Sequence, residues 1–81
     1  MVLELQERLI IMYLNLNDSN WVINTIGKND IFYFVEIQND TNSYDYEFDV
    51  SLIDKKNPIL EQLYNLILEK PEFAGGTLIN S

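Results

Sequence analysis

The chain has neither cysteine nor histidine. The first absence excludes disulfide scaffolds and thiolate metal centres. The second removes the side chain that titrates nearest neutrality, leaving acid–base chemistry to carboxylates, Lys or Tyr. Two prolines and three glycines leave few breaks, as expected for one small fold of 81 residues with a thin core. Long hydrophobic runs are also missing. The longest, Leu9 to Leu14, falls far below the ~20 residues that a membrane-spanning helix needs. Met1 to Leu5 carries no basic region ahead of an apolar stretch, so no signal peptide is expected and the expected compartment is the cytoplasm.

Positive charge is scarce too. Five Lys and Arg stand against thirteen Asp and Glu, for a net charge of −8. The deficit is local. Between Lys28 and Lys55 lie Asp30, Glu36, Asp40, Asp45, Glu47, Asp49 and Asp54, with no basic residue among them. Such a field repels nucleic acid and anionic membrane and attracts a basic partner. With 47% apolar residues and 12% aromatic, the chain is too hydrophobic to be disordered.

Residues 3–16 are expected to form a helix, because Leu5, Leu9, Met12 and Leu16 recur at spacings of three and four. Glu4 also precedes Arg8 by four, the favourable order for a helical ion pair. The polar cluster Asn15 to Asn20 would end it. Three strands are expected next, Trp21–Ile26, Ile31–Gln38 and Ser43–Ser51, separated by the turn-like segments 27–30 and 39–42. A second helix is expected from Pro58, capped by Asn57, with Ile59, Leu60, Leu63, Leu66 and Ile67 as its buried stripe and Pro71 as its stop. The tail, with Gly75-Gly76 and then Thr77-Leu78-Ile79, either frays or adds an edge strand. The fold class expected is therefore α+β: helix, three-stranded antiparallel meander, helix, and a short C-terminal tail or edge strand.

The third strand alternates. Tyr44, Tyr46, Phe48 and Val50 point one way; Asp45, Glu47, Asp49 and Ser51 point the other. An even-numbered loop then pairs Ile37 with Tyr44, Val35 with Tyr46, Tyr33 with Phe48 and Ile31 with Val50, placing all eight on one apolar face. The opposite face holds Phe32, Phe34, Glu36 and Gln38 with the acids, and brings Glu36 directly across from Asp45. The first hairpin is undetermined. An even loop puts Trp21, Ile23 and Thr25 on the acidic face, and an odd loop puts them in the core.

No chemistry-bearing motif stands out. Asp45, Glu47 and Asp49 recur at roughly 6.7 Å along one strand face, yet a working catalytic acid needs a desolvated pocket that so short a chain rarely encloses. Asp40-Thr41-Asn42 opens like a calcium loop, but Tyr44 and Asp45 occupy the positions of an oxygen ligand and the essential glycine. No cofactor or metal is expected. Direct nucleic-acid binding is not expected, since scattered basic residues cannot offset the acids.

The acidic sheet face is the remaining candidate. Antiparallel strands commonly keep one charged, wet face. Here no Lys is interspersed, two carboxylates face each other, and Phe32 and Phe34 supply apolar anchors, as in a protein-binding surface. The expected function is non-enzymatic binding of a basic protein through Glu36, Asp40, Asp45, Glu47, Asp49, Phe32 and Phe34. In element order, size and acidity the chain resembles small phage inhibitors of Cas9 and of restriction or repair enzymes. That resemblance implies a DNA mimic occupying a nucleic-acid enzyme's basic site. It rests on no motif, so no functional residue is transferred. Ten Asn residues fit a phage or mobile element of a low-GC bacterium. The alternative is a small structural subunit that dimerises through sheet edges or through the Phe32 and Phe34 face.

Overall fold

The computed structural model describes residues 12–80. Within these residues five antiparallel strands form a single sheet: β1 (Met12–Leu16), β2 (Ser19–Lys28), β3 (Phe32–Gln38), β4 (Ser43–Asp49) and β5 (Thr77–Asn80). Their spatial order is β4-β3-β2-β1-β5. One α-helix, α1 (Ile59–Leu68), and two short 3₁₀ turns, Val50–Leu52 and Pro71–Phe73, occupy the connection between β4 and β5. The expected arrangement of helix, three-strand meander and helix is therefore incorrect. The meander is present as β2–β3–β4, but strands flank it on one side and a single described helix covers it.

Met12–Leu16, the end of the helix expected over residues 3–16, is a strand; the remainder of that segment lies outside the described residues. What makes it a strand is the turn that follows. Asn17 and Asp18 both hold positive φ, 52° and 63°, the left-handed pair that closes a two-residue hairpin with the twist of its strands. Asn and Asp tolerate this conformation better than other non-glycine residues. Leu16 then faces Ser19, and Leu14 faces Trp21. A cross-strand bond from the Asn15 side-chain amide to Asn20 (2.7 Å) supports the pairing. Asp18→Gly should stabilise the domain by a few tenths of a kcal/mol to ~1 kcal/mol, because it relieves left-handed strain. Asn17→Val should cost ~1–2 kcal/mol by adding strain. Denaturant melts of both variants check this, and opposite signs are expected.

The register of β3 and β4 follows the alternation. Ile37 faces Tyr44, Val35 faces Tyr46, Tyr33 faces Phe48, and Glu36 faces Asp45. Ile31 and Val50 lie just beyond the strands, joined by a bond from Val50 N–H to the Ile31 carbonyl (2.9 Å). Both parities proposed for the first hairpin occur in β2, because the ladder slips between Ile23 and Thr25. On the turn side of this bulge Thr25 faces Glu36 and Gly27 faces Phe34. Beyond it Ile23 faces Ile37, and Trp21 is buried. A bulge adds one residue to one strand and so reverses which side chains face the core.

The core lies between the sheet and α1 with its flanking turns. It comprises Leu14, Trp21, Tyr33, Val35, Ile37, Phe48 and Ile53, closed by Leu63, Tyr64, Ile67 and Phe73. Ile31, Tyr44 and Leu60 were expected inside but are exposed. Tyr64, absent from the expected stripe, replaces a missing rung of the sheet. Its hydroxyl donates to the Met12 carbonyl (3.0 Å) and accepts from Ile23 N–H (2.9 Å), joining β1 to β2 where they diverge. Asn57 does not cap α1. Pro58 is the capping residue, without a side-chain bond. The start is organised instead by Gln62, whose side chain accepts from Asp54 N–H (2.8 Å) and donates to the Asp54 carbonyl (2.7 Å).

The tail forms β5, paired with β1 from Met12↔Asn80 to Asn15↔Thr77. Two glycines bring it there. Gly75 has φ +87°, and a Cβ on Gly76 would lie 2.9 Å from a Leu14 methyl and 3.1 Å from the Phe73 carbonyl. Among the described residues no helix is long and apolar enough to cross a membrane.

Candidate functional site

The outer face of β2–β3–β4, turned away from α1, is built in rows. One row runs Thr25, Glu36, Asp45; the next runs Gly27, Phe34, Glu47; Phe32 and Asp49 begin a third. Glu36 and Asp45 are directly opposite. Side chains so placed lie about 4.5–5.5 Å apart at Cβ, where like charges repel. Glu36 is half-buried, whereas Asp45 and Glu47 are exposed. Neither β3 nor β4 carries a Lys or Arg. Two of the cations are held elsewhere: the Lys28 ammonium lies 5.8 Å from the Tyr33 ring centre, and that of Lys70 lies 5.6 Å from Tyr46 and 5.4 Å from Phe48, on the core side.

Between the rows runs an open groove of about 520 Å³ whose lining includes Thr25, Gly27, Phe34, Glu36, Asp45 and Glu47. Gly27 shapes its floor, since it offers no side chain opposite Phe34. Phe34 remains exposed and lies 6.3 Å from Phe32 between ring centres, tilted by 56°. The groove is therefore apolar along its base and acidic along one wall.

Of the seven residues expected to bind a partner, Glu36, Asp45, Glu47 and Phe34 meet at this groove. Phe32 borders it on the same face. Asp49 shares the face but serves the fold, since its carboxylate accepts from Ser51 N–H (2.8 Å) and caps the 3₁₀ turn. That bond holds its pKa below the usual range. The cap's contribution is thus present above the unfolded pKa and is lost as pH falls through the depressed value. Asp40 stands at the tip of the β3–β4 turn, away from the groove. Its neighbour Asn39 organises that turn by accepting from Thr41 N–H (3.0 Å) and Asn42 N–H (2.7 Å). Thr25 and Gly27 are the additions. Only the even-loop alternative for the first hairpin pointed to Thr25.

Among the described residues no group of three or more acidic side chains is gathered as a metal site. The most perturbed phenol lies behind the sheet. The Tyr46 hydroxyl is buried without a hydrogen-bond partner. Burial first, then the nearby Glu72 charge, pushes its pKa up to about 12. Glu72 acts through its field, because no bond of ordinary geometry joins the two groups. A folded pKa above the unfolded ~10 gives stability that is complete below pH ~10 and lost as pH rises towards ~12. Tyr46→Phe should be neutral or slightly stabilising at neutral pH, since it removes an unsatisfied hydroxyl. Its advantage over the parent should widen in denaturant melts at about pH 11. An advantage independent of pH would show that Tyr46 is not so perturbed.

In comparison with known proteins, no family model, curated protein or solved structure matches the chain.

Proposed function

We propose that the outer face of β2–β3–β4 is a protein-docking surface, and that its partner is a nucleic-acid enzyme whose basic binding site it fills in place of nucleic acid. The observation that carries this is Glu36 facing Asp45, with Glu47 one step along, on strands that carry no Lys or Arg and beside Phe34 and the groove. Repulsion of this kind costs stability in the free protein and becomes attraction when a partner supplies Lys or Arg. A face kept only for solubility gains nothing from it. The openness of the groove supports binding over catalysis, because a carboxylic acid working near neutrality needs desolvation. On this reading the protein is a non-enzymatic inhibitor, of the kind phages direct at Cas9 or restriction enzymes.

The test is displacement of a fluorescent duplex from a panel of purified enzymes: a Cas9 effector, a restriction endonuclease and a DNA-repair glycosylase. Displacement from at least one is expected near stoichiometric inhibitor at low salt, weakening as ionic strength rises. The protein alone should leave the duplex unshifted. No displacement from any of the enzymes, with self-association in sedimentation instead, would favour the dimeric structural subunit.

A further inference from the structure

Among the described residues the sheet ends in two edges, β5 and β4. The hydrogen bonds of the β3–β4 ladder determine what the β4 edge offers. At one end Val50 N–H donates to the Ile31 carbonyl (2.9 Å), and at the other Asn39 N–H donates to the Asn42 carbonyl (2.9 Å). Bonded pairs alternate along an antiparallel ladder. Tyr44, Tyr46 and Phe48 therefore turn their backbone groups towards β3, while Ser43, Asp45 and Glu47 turn theirs out of the sheet. No described strand receives them.

Native edges are commonly blunted by Lys, Pro or a bulge. β4 has no Lys or Pro, and its register against β3 is continuous over seven residue pairs. Its only deterrent is its own charge. A second copy paired edge to edge would set Asp45 and Glu47 beside an identical acidic row, so self-pairing is disfavoured. A strand of opposite charge meets no such obstacle. On the core side of this edge Tyr44 is 38% exposed and ready for an apolar neighbour.

We propose that β4 accepts a sixth strand from its partner: an extended segment with Lys or Arg at alternate positions and apolar residues between. The added strand runs antiparallel to β4, so its basic residues lie across from Asp45 and Glu47 and bond their outward backbone groups, and its apolar side chains lie beside Tyr44 and Tyr46. Strand addition of this type takes affinity from main-chain bonds and specificity from alternate side chains. The proposal rests on the reading of the acidic face as a docking surface and specifies how a partner engages it.

The probe is an acetylated, amidated peptide, Thr-Lys-Val-Arg-Val-Lys-Val-Arg-Thr, titrated into the full ¹⁵N-labelled chain at low salt. One variant is N-methylated at its Lys and Arg residues, which blocks the edge facing β4 and keeps every charge. Another is N-methylated at the Val residues, which blocks only the far edge. The parent and Val-methylated peptides should bind and slow amide exchange at Asp45 and Glu47. The Lys/Arg-methylated peptide should bind at least about tenfold more weakly. Equal binding by the two methylated peptides overturns strand addition but leaves an electrostatic face standing. Absence of binding by all three also overturns it, and duplex displacement then judges the acidic face separately.

Discussion

Phe73→Ala should cost ~3–5 kcal/mol and leave much of the protein unfolded at physiological temperature. Phe73 is fully buried. It sits on the 3₁₀ turn Pro71–Phe73, pinned by a bond from its N–H to the Lys70 carbonyl (2.9 Å) and another from Gly76 N–H to its own carbonyl (2.9 Å). Its ring meets Trp21 edge-on at 5.0 Å and 86°, Tyr44 at 5.6 Å and 77°, and Tyr46 at 6.4 Å and 65°. Pairs of this geometry add about 0.5–1.5 kcal/mol each beyond the area they bury. A domain this size has a total stability of only about 4–12 kcal/mol. The melting temperature should fall by about 12 °C or more, and Phe73→Leu by roughly half as much. If the Ala variant melted within a few degrees of the parent, the segment after α1 would not be the lid on this end of the sheet.

That lid shows where the sequence stops being legible. The β3–β4 register was legible because apolar and acidic residues alternate over Tyr44 to Asp49, and a one-residue slip would bury charge. β1 reads as the end of a helix for an equally physical reason. A short apolar run such as Leu9 to Leu14 fits either period, and Met12 and Leu16 continue the helical spacing of Leu5 and Leu9 although both lie in a strand. The signal that decides is Asn17-Asp18, a left-handed hairpin turn that composition alone made look like a helix end. The slip in β2 beside Asn24 has no mark of its own in the sequence, so neither single parity was correct. Asn57 looked like a cap, but its side chain bonds Asp54 (2.7 Å) and Gln62 organises the helix start. Tyr64 is not marked as a core residue in the sequence, because its hydroxyl finds its partners only at the Met12 carbonyl and Ile23 N–H, both distant along the chain. The candidate site was more accessible: Glu36 opposite Asp45 followed from the register. The separate roles of Asp49 and Asp40 needed the turns on which they lie.

Those roles decide the most informative functional variant. Glu36→Gln, Asp45→Asn and Glu47→Gln together should raise the dissociation constant for the responsive enzyme at least about tenfold, and with it the amount needed to displace duplex. Asp49 is left unchanged because its carboxylate caps a turn, so replacing it would confound affinity with stability. Folding should survive and improve by ~0.2–1 kcal/mol, because the change removes the repulsion between Glu36 and Asp45. Net charge needs its own control. Asp18→Asn, Glu61→Gln and Glu69→Gln also remove three charges, from exposed positions off the groove. This control should lose far less affinity, because steering falls off within a Debye length of ~8–10 Å whereas contact charges act at the surface itself. Equal losses in both variants would mean that overall acidity drives association and that the face has no special role. No loss in the groove variant, with displacement intact at low salt, would remove the acidic face as the binding surface altogether.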